Sequence, residues 1–419
     1  LLLLLNFQNQ ALLGKKMMDV APPVPTGTWT EQTSGITTAL YSVSAVDNNV
    51  AWIGGAAGKI IKTVNSGSTW TNAAGNLPVQ DVYCIYGFDA NTAVATTSPS
   101  TGTFIYKTTN GGTNWTQVFS ETGGFGDGFA FLNATTGFFY GDPVGARWSL
   151  WKTTNAGTTW DSTGLYVPSA GAAGWNNAMF SRGTKIWFGS NAVNLPFSSN
   201  SGATWSNQTT PAANQYAVWF NDDNVGLSGG ANLNVTTNGG TTWTALTSIG
   251  TGNVSGIVGA STSWWFTRQT TAVNFSSNNG TSWTAQYTAP AGNFYHLALS
   301  RSGATIWGVR SNGGISRYGT ITSINPISTE TPVNYSVSQN YPNPFNPTTK
   351  INFALPKSGL VTLKVYDITG KEVATLVNEV KNVGTYSVDF NASNLSSGVY
   401  LYKVEVNGFS QVKKMMLVK

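Results

Sequence analysis

From residue 27 onward, short apolar or alternating runs are separated by polar turns. LYSVSAVDNNVAWIGG (40–55) and VYCIYGF (82–88) are rich in Val, Ile, Tyr and Trp, with Asp, Asn and Gly at the breaks. They read as short strands joined by turns. Farther along, LVTLKVYD (360–367) and VYLYKVEV (399–406) alternate apolar and polar positions. That is the period of a strand with one wet face. No segment shows a convincing helical period, so the pattern predicts an all-β chain.

The strands are punctuated by a repeat. TTNGGTNW (108–115) returns as TTNAGTTW (153–160) and TTNGGTTW (236–243). Looser copies are TVNSGSTW (63–70), SSNSGATW (198–205) and SSNNGTSW (276–283). The closing Trp70, Trp115, Trp160, Trp205, Trp243 and Trp283 are 45, 45, 45, 38 and 40 residues apart. A period of roughly 40–50 residues is that of propellers and related arrays. It leaves room for about four strands of ~5–6 residues, one propeller blade.

After the sixth copy three strands remain, FYHLALS, TIWGVR and GISRYGT, with no repeat and no fourth strand. TGTWTEQ (26–32) stands alone before the first blade, its Trp29 one period ahead of Trp70. Pairing the two predicts a seven-bladed β-propeller with the N-terminal strand closing the last blade, which leaves no open sheet edge. The stretch SINPISTETPVNYSVSQ after residue 321 is polar and contains Pro. About seven alternating strands follow, predicting a small Ig-like β-sandwich. The expected organisation is an N-terminal segment (1–26), a propeller (27–320), a linker (321–338) and the sandwich (339–419).

Turn chemistry accounts for each position of the repeat. Ser or Thr at the first place and Asn at the third (Asn65, Asn110, Asn155, Asn200, Asn238, Asn278) bond nearby backbone. The glycine at the fifth permits a positive φ, and the Trp buries a large ring between blades. The pattern resembles the Asp-box, S/T-x-D-x-G-x-T-W, of sialidases, sortilin-type receptors, xyloglucanases and the propellers of photosystem assembly factors, with Asn in place of Asp throughout. The resemblance implies a propeller and no particular activity, because the same fold serves enzymes and binders.

Charged residues make up 9% of the chain, against a usual ~25%. The net charge of +5 forms no Lys/Arg stripe, which argues against nucleic-acid binding. Cys84 is the only cysteine, so there is no disulfide framework, and it reads as a small buried residue. The Leu run at residues 1–5 reads as the remnant of a signal-peptide apolar region or as a contact arm, and is too short to span a bilayer. No transmembrane segment is expected.

YPNPFNP (341–347), LKVYDITGKEV (363–373), LSSGVYLYKVEVNG (395–408) and KKMMLV (413–418) together closely resemble the type A sorting domain of the type IX secretion system of Bacteroidota. The resemblance implies export to the cell surface or beyond by that machinery, with attachment to surface polysaccharide or release. Separately, the charge-poor Ser/Thr/Asn/Gly surface favours packing against other copies of the chain. It points to Gly398, Tyr400, Lys413 and Lys414 as sorting residues.

Propeller geometry directs candidate chemistry to the face opposite the repeat turns. Asp127 and Asp142 are the candidate carboxylate pair, since glycoside hydrolysis needs two. Arg147, Trp175, Arg268, Tyr295 and Arg310 are candidate ligand-binding residues on that face. A sialidase is disfavoured: no Arg precedes Arg147, and the only propeller glutamates, Glu31 and Glu121, are not expected beside a Tyr. His296, the only histidine, reads as structural. One His, one Cys and scattered carboxylates offer no metal spacing, and no cofactor is implied. Asp161-Ser162-Thr163 fits a three-residue O-glycosylation pattern. The expectation is an exported, non-catalytic binding, adhesive or self-assembling protein. The alternative is a secreted glycoside hydrolase or lectin-like glycan binder acting around Asp127 and Asp142.

Overall fold

A computed structural model describes residues 24–319, 324–328, 332–392 and 395–419. The chain divides into two compact units, Leu1–Thr320 and Ile321–Lys419.

Seven antiparallel sheets follow one another in the first unit. They begin with strands Leu40–Ala45, Val82–Gly87, Gly126–Phe131, Gly174–Arg182, Ala217–Phe220, Val254–Ala260 and Phe294–Leu299, and are numbered 1 to 7 in that order. Within each sheet, successive strands are neighbours. All except sheet 3 have four strands. In sheet 3 the place of the fourth is held only by the isolated bridges Lys152–Asp161 and Arg147–Pro168. The expected four strands are therefore reduced to three there. The only helical element among the described residues is the single 3-10 turn Ala56–Gly58.

Sheet 7 draws its fourth strand from the start of the unit: Thr28–Gln32 pairs with Ile315–Gly319 in the register Trp29–Tyr318 and Glu31–Ser316. The Trp29 indole stacks on Tyr287 of sheet 6 with centroids 5.4 Å apart, and its N–H reaches Gln286 Oε1 at 2.9 Å. Leu40, Val43 and Ile53 of sheet 1 share one core with Trp307, Val309 and Ile315 of sheet 7. First and last sheets are thus packed together, and the first strands of all seven sheets line one axial cavity.

The repeat turns show why the same letters recur. In the fifth sheet's copy the Asn238 carboxamide oxygen accepts from the Thr242 backbone N–H at 2.9 Å. Its amide donates to Thr242 Oγ1 at 2.9 Å, and the Thr236 hydroxyl oxygen accepts from the Gly240 N–H at 2.8 Å. One side chain at each end of the turn satisfies backbone groups that would otherwise lack partners. Gly112, the matching residue of the second copy, has φ +88°, and a Cβ there would lie 2.2 Å from the Ala73 carbonyl oxygen. The indole that closes each repeat then meets an aromatic ring edge-on. Trp70 meets Trp307 at 5.5 Å, Trp115 meets Trp52 at 6.2 Å, and Trp283 meets Phe266 at 4.8 Å. Such T-shaped pairs add to the area they bury.

The second unit holds two four-stranded sheets. One is built of Ile324–Ser328, Gly384–Asn391, Thr348–Leu355 and Ser336–Val337, and the other of Glu372–Lys381, Gly359–Asp367, Gly398–Val406 and Phe409–Leu417. The stretch expected to be linker therefore supplies an edge strand, with Ile324 opposite Val388. Ile351, Phe353, Val388, Leu363, Tyr402 and Met415 fill the core between the sheets.

Candidate functional site

The first strands of the seven sheets carry the site. In all but sheet 5 this strand pairs with its neighbour through an irregularity near its start. A bulge leaves one extra residue at Tyr41 in sheet 1, Tyr83 in sheet 2, Asp127 in sheet 3, Ser255 in sheet 6 and Tyr295 in sheet 7. Bulges re-aim side chains. Three of these five equivalent places hold tyrosine. In sheet 4 the irregularity is longer, between Gly174 and Met179, and carries Trp175.

Tyr41, Tyr83, Trp175, Tyr216 and Tyr295 line one cavity of about 250 Å³, with Asn176, Asn177, Ser255 and Gln269 between them. The rings form two runs. Tyr295, Tyr41 and Tyr83 are stacked at 5.8 and 5.0 Å, and Phe125 continues the row at 4.7 Å. Trp175 lies 4.1 Å from Tyr216. Asp81 braces the first run. Its Oδ2 accepts from the Tyr83 hydroxyl at 3.1 Å and the Tyr41 hydroxyl at 3.4 Å, while Oδ1 accepts from the Ala57 N–H at 2.8 Å. Burial first, and then Asp81, push the Tyr83 phenol up to about 12. Both phenols stay neutral and donating.

Asn177 floors this cavity and roofs the axial one beneath it, which is about 180 Å³ and lined by Val43, Phe129, Phe180, Trp219 and Leu299 among others. His296 lies in the lower cavity, where its Nδ1 accepts from the Val43 N–H at 3.1 Å. Burial lowers its pKa to about 4, so the ring is neutral at pH 7.

The carboxylate pair sits differently from the expectation of an open face. Asp127 is buried, and its Oδ2 has no hydrogen-bond partner. Gly174 covers it so closely that a Cβ there would stand 1.9 Å from that oxygen. Burial, with a further push from Asp142, raises the Asp127 pKa well above the usual carboxylate range. Asp142 is half-buried, and its Oδ1 accepts from the Gly174 N–H at 2.7 Å. Burial raises its pKa too. The two acids are neighbours that hold Gly174, the residue before Trp175, rather than lining the aromatic cavity.

Two of the three candidate arginines are engaged within the protein. Arg268 is buried and donates to the carbonyls of Ile249, Ala231 and Gly252 and to Ser248 Oγ. Arg310 is buried against Glu31 and the Ala291 carbonyl. Arg147 lies over the Trp151 ring at 6.0 Å. Glu31 does have a tyrosine partner, contrary to the sequence reading. The Tyr287 hydroxyl donates to it at 2.5 Å, as does Ser316 Oγ. This cluster ties the N-terminal strand to sheets 6 and 7. Sequence reasoning placed Trp175 and Tyr295 in the site and missed Tyr41, Tyr83 and Tyr216. The aromatic recurring at the head of four inner strands, LYSV, VYCI, QYAV and FYHL, was the available signal.

In the second unit, Lys413 and Lys414 lie on the last strand opposite Tyr402 and Leu401. The Tyr400 hydroxyl donates to the Ser396 carbonyl at 2.8 Å. Gly398 opens its strand with open space around any added Cβ and no positive φ, so no turn requires it. YPNPFNP covers the edge of the last strand. Phe345 N–H donates to the Met416 carbonyl at 2.9 Å, and Asn343 Oδ1 accepts from the Met416 N–H at 2.9 Å.

Comparison with known proteins defines both units. Three solved structures illustrate the likeness of the first. YCF48 bound to D1 peptide has a TM-score of 0.58 at 16% identity, covering 72% of this chain and all of that one (100%). The WD40 β-propeller domain of Doa1 has 0.56 at 12%, covering 70% and 98%. A GH74 xyloglucanase from Xanthomonas campestris has 0.54 at 12%, covering 78% of this chain and 60% of that one. The first unit thus has a β-propeller-like fold. No curated protein matches the chain in sequence. Residues 339–419 match the secretion system C-terminal sorting domain. This is the sorting domain of the type IX system, so the protein is handled by that machinery and secreted to the outer surface or the extracellular space. Among the described residues no helix is long and apolar enough to cross a membrane.

Proposed function

We propose that the chain is an exported seven-bladed Asp-box propeller, with an Ig-like sorting sandwich, that acts as a non-catalytic binding protein. Its ligand sits on the face ringed by Tyr41, Tyr83, Trp175, Tyr216 and Tyr295. One observation carries this reading: equivalent bulges of separate sheets deliver aromatic side chains to a single cavity. Packing alone does not require it, because rings left half-exposed around a cavity forgo about half of the ~1.5–3 kcal/mol that full burial of a large apolar side chain contributes. Concave sites lined by aromatics with a few polar groups are where ligands bind. The solved structure of YCF48 with D1 peptide is an instance of the fold acting as a binder.

The test is an array of glycans and peptides probed with the full chain and with Trp175→Ala. Binding by the natural chain that the variant loses supports the proposal. Binding that survives Trp175→Ala and Tyr41→Ala unchanged contradicts it.

A glycosidase reading draws on the raised pKa of Asp127 beside Asp142. The cover over Asp127 by Gly174 weighs against it, because a general acid must reach the glycosidic oxygen. Hydrolysis of a polysaccharide panel by the natural chain, lost in Asp127→Asn and Asp142→Asn, would establish that reading.

A further inference from the structure

We infer that the ligand of the aromatic cavity is a neutral saccharide unit, held by ring stacking and by the side-chain amides of Asn176 and Gln269. The inference rests on the binding reading above and narrows it to one chemistry.

Charge decides first. None of the residues lining the cavity is ionisable in the range where proteins carry charge at pH 7: the wall is Tyr, Trp, Asn, Gln and Ser. An anionic ligand calls for guanidinium or ammonium partners, and the nearby arginines Arg268 and Arg310 are buried on carbonyls and Glu31. A cationic ligand is served by aromatic faces and gains most from a free carboxylate. Asp81 spends its two oxygens on Tyr41, Tyr83 and the Ala57 N–H, and Asp142 accepts from Gly174.

The remaining polar groups then select among neutral ligands. Asn176 and Gln269 are exposed at the cavity, and among the described residues their side-chain amides make no hydrogen bond. Each amide offers two donors and an acceptor. A sugar hydroxyl is likewise donor and acceptor, so two adjacent hydroxyls match one amide. The carbon face of a pyranose ring presents polarised C–H bonds, which suit the electron-rich faces of Trp and Tyr. A phenol that donates to a carboxylate, as Tyr83 does to Asp81, is more electron-rich still. A volume of about 250 Å³ is below the ~300–1,000 Å³ of pockets for drug-sized ligands. It suits one ring of a longer chain that continues into solvent.

The experiment is calorimetric titration of the full chain with neutral gluco-, manno-, galacto- and xylo-oligosaccharides. Sialylated and sulfated oligosaccharides, choline chloride and an unstructured peptide form the comparison arms. The expected result is binding of at least one neutral oligosaccharide with Kd of ~1 mM or tighter. Trp175→Ala should weaken it at least about 10-fold, and Asn176→Ala with Gln269→Ala by a similar factor, with circular dichroism and unfolding midpoints unchanged. If only an anionic ligand, choline or the peptide binds, and Trp175→Ala abolishes it, the saccharide assignment falls while the binding face stands. If no arm binds, or binding is indifferent to Trp175 and Tyr41, both fall.

Discussion

The side-chain amide of Asn177, in sheet 4, donates to the backbone carbonyl of Tyr41, in sheet 1, at 3.1 Å. It also donates to the Tyr83 carbonyl of sheet 2 at 3.3 Å, and its oxygen accepts from the Ser42 hydroxyl at 2.7 Å. Asn177 has φ 61°, a left-handed conformation that Asn tolerates better than most residues. Three sheets are thus pinned by one carboxamide directly below the tyrosines of the site.

Asn177→Ala leaves the Tyr41 and Tyr83 carbonyls without this donor and puts at positive φ a residue that tolerates it less well than Asn. The expected cost is ~1–3 kcal/mol, read as a lower denaturation midpoint of the first unit. Ligand affinity should fall as well, because the floor of the cavity loses its anchor. An unchanged midpoint would show that the three bonds do not hold the sheets.

The only histidine gives a pH signature. His296 is neutral in the folded chain, with a pKa lowered to about 4, and has an ordinary value near ~6.5 when unfolded. Its contribution to stability is complete above ~6.5 and is lost as pH falls toward 4, at most about 3 kcal/mol. Urea denaturation of the natural chain should show lower stability at pH 5 than at pH 7. His296→Gln, which can still accept from Val43, should show a smaller drop. Equal drops would contradict the buried neutral imidazole.

In the repeat turns, Asn stands where the Asp-box pattern has Asp. Asn238→Asp keeps the acceptor for the Thr242 N–H and lets the Thr242 hydroxyl reverse its bond, so stability should change by less than ~0.5 kcal/mol. Asn238→Ala removes these bonds and the one from the Thr236 hydroxyl, and should cost ~1–2 kcal/mol. Thermal unfolding of the two variants side by side separates them.

The fold was largely legible in the sequence because its period is written in residues that only a turn can use: Gly112 with its positive φ, Asn238 with its local bonds, and Trp115 beside Trp52. The lone strand at Trp29 and the three strands after residue 290 were equally plain, since each is incomplete alone. The site was legible only in part. Trp175 and Tyr295 were chosen as aromatics at the head of inner strands, while the same position at Tyr41, Tyr83 and Tyr216 passed as ordinary strand sequence. A bulge is invisible in period-2 alternation, and it is the bulge that sets Tyr41 and Tyr83 apart from their strands' alternation, while Tyr216 lies just before the strand Ala217–Phe220. The surroundings of the charged candidates were hidden for another reason. Nothing in the sequence says that Arg268 will find three carbonyls, or that Gly174 will cover Asp127. The strand Ile324–Ser328 was hidden by its Pro326 and its polar residues, which suit an edge as well as a linker.

Gly398 separates folding from sorting in the second unit. With no positive φ and open space at its Cβ, Gly398→Ala should leave stability within ~0.5 kcal/mol of the natural domain. A secretion assay of the same variant then reads recognition alone. Reduced export with an unchanged melting curve assigns Gly398 to the machinery's contact, whereas a lowered melting point would show that the glycine is required by the fold.

The binding face is tested most directly by fluorine NMR of the full chain labelled with 5-fluorotryptophan. The sequence has 16 tryptophans, and the Trp175 signal is assigned by its loss in Trp175→Phe. On addition of a neutral oligosaccharide that binds, the Trp175 resonance should move while those of the buried Trp52, Trp187 and Trp307 stay in place. A stationary Trp175 signal, with shifts confined to other tryptophans, would contradict a ligand site at the aromatic cavity.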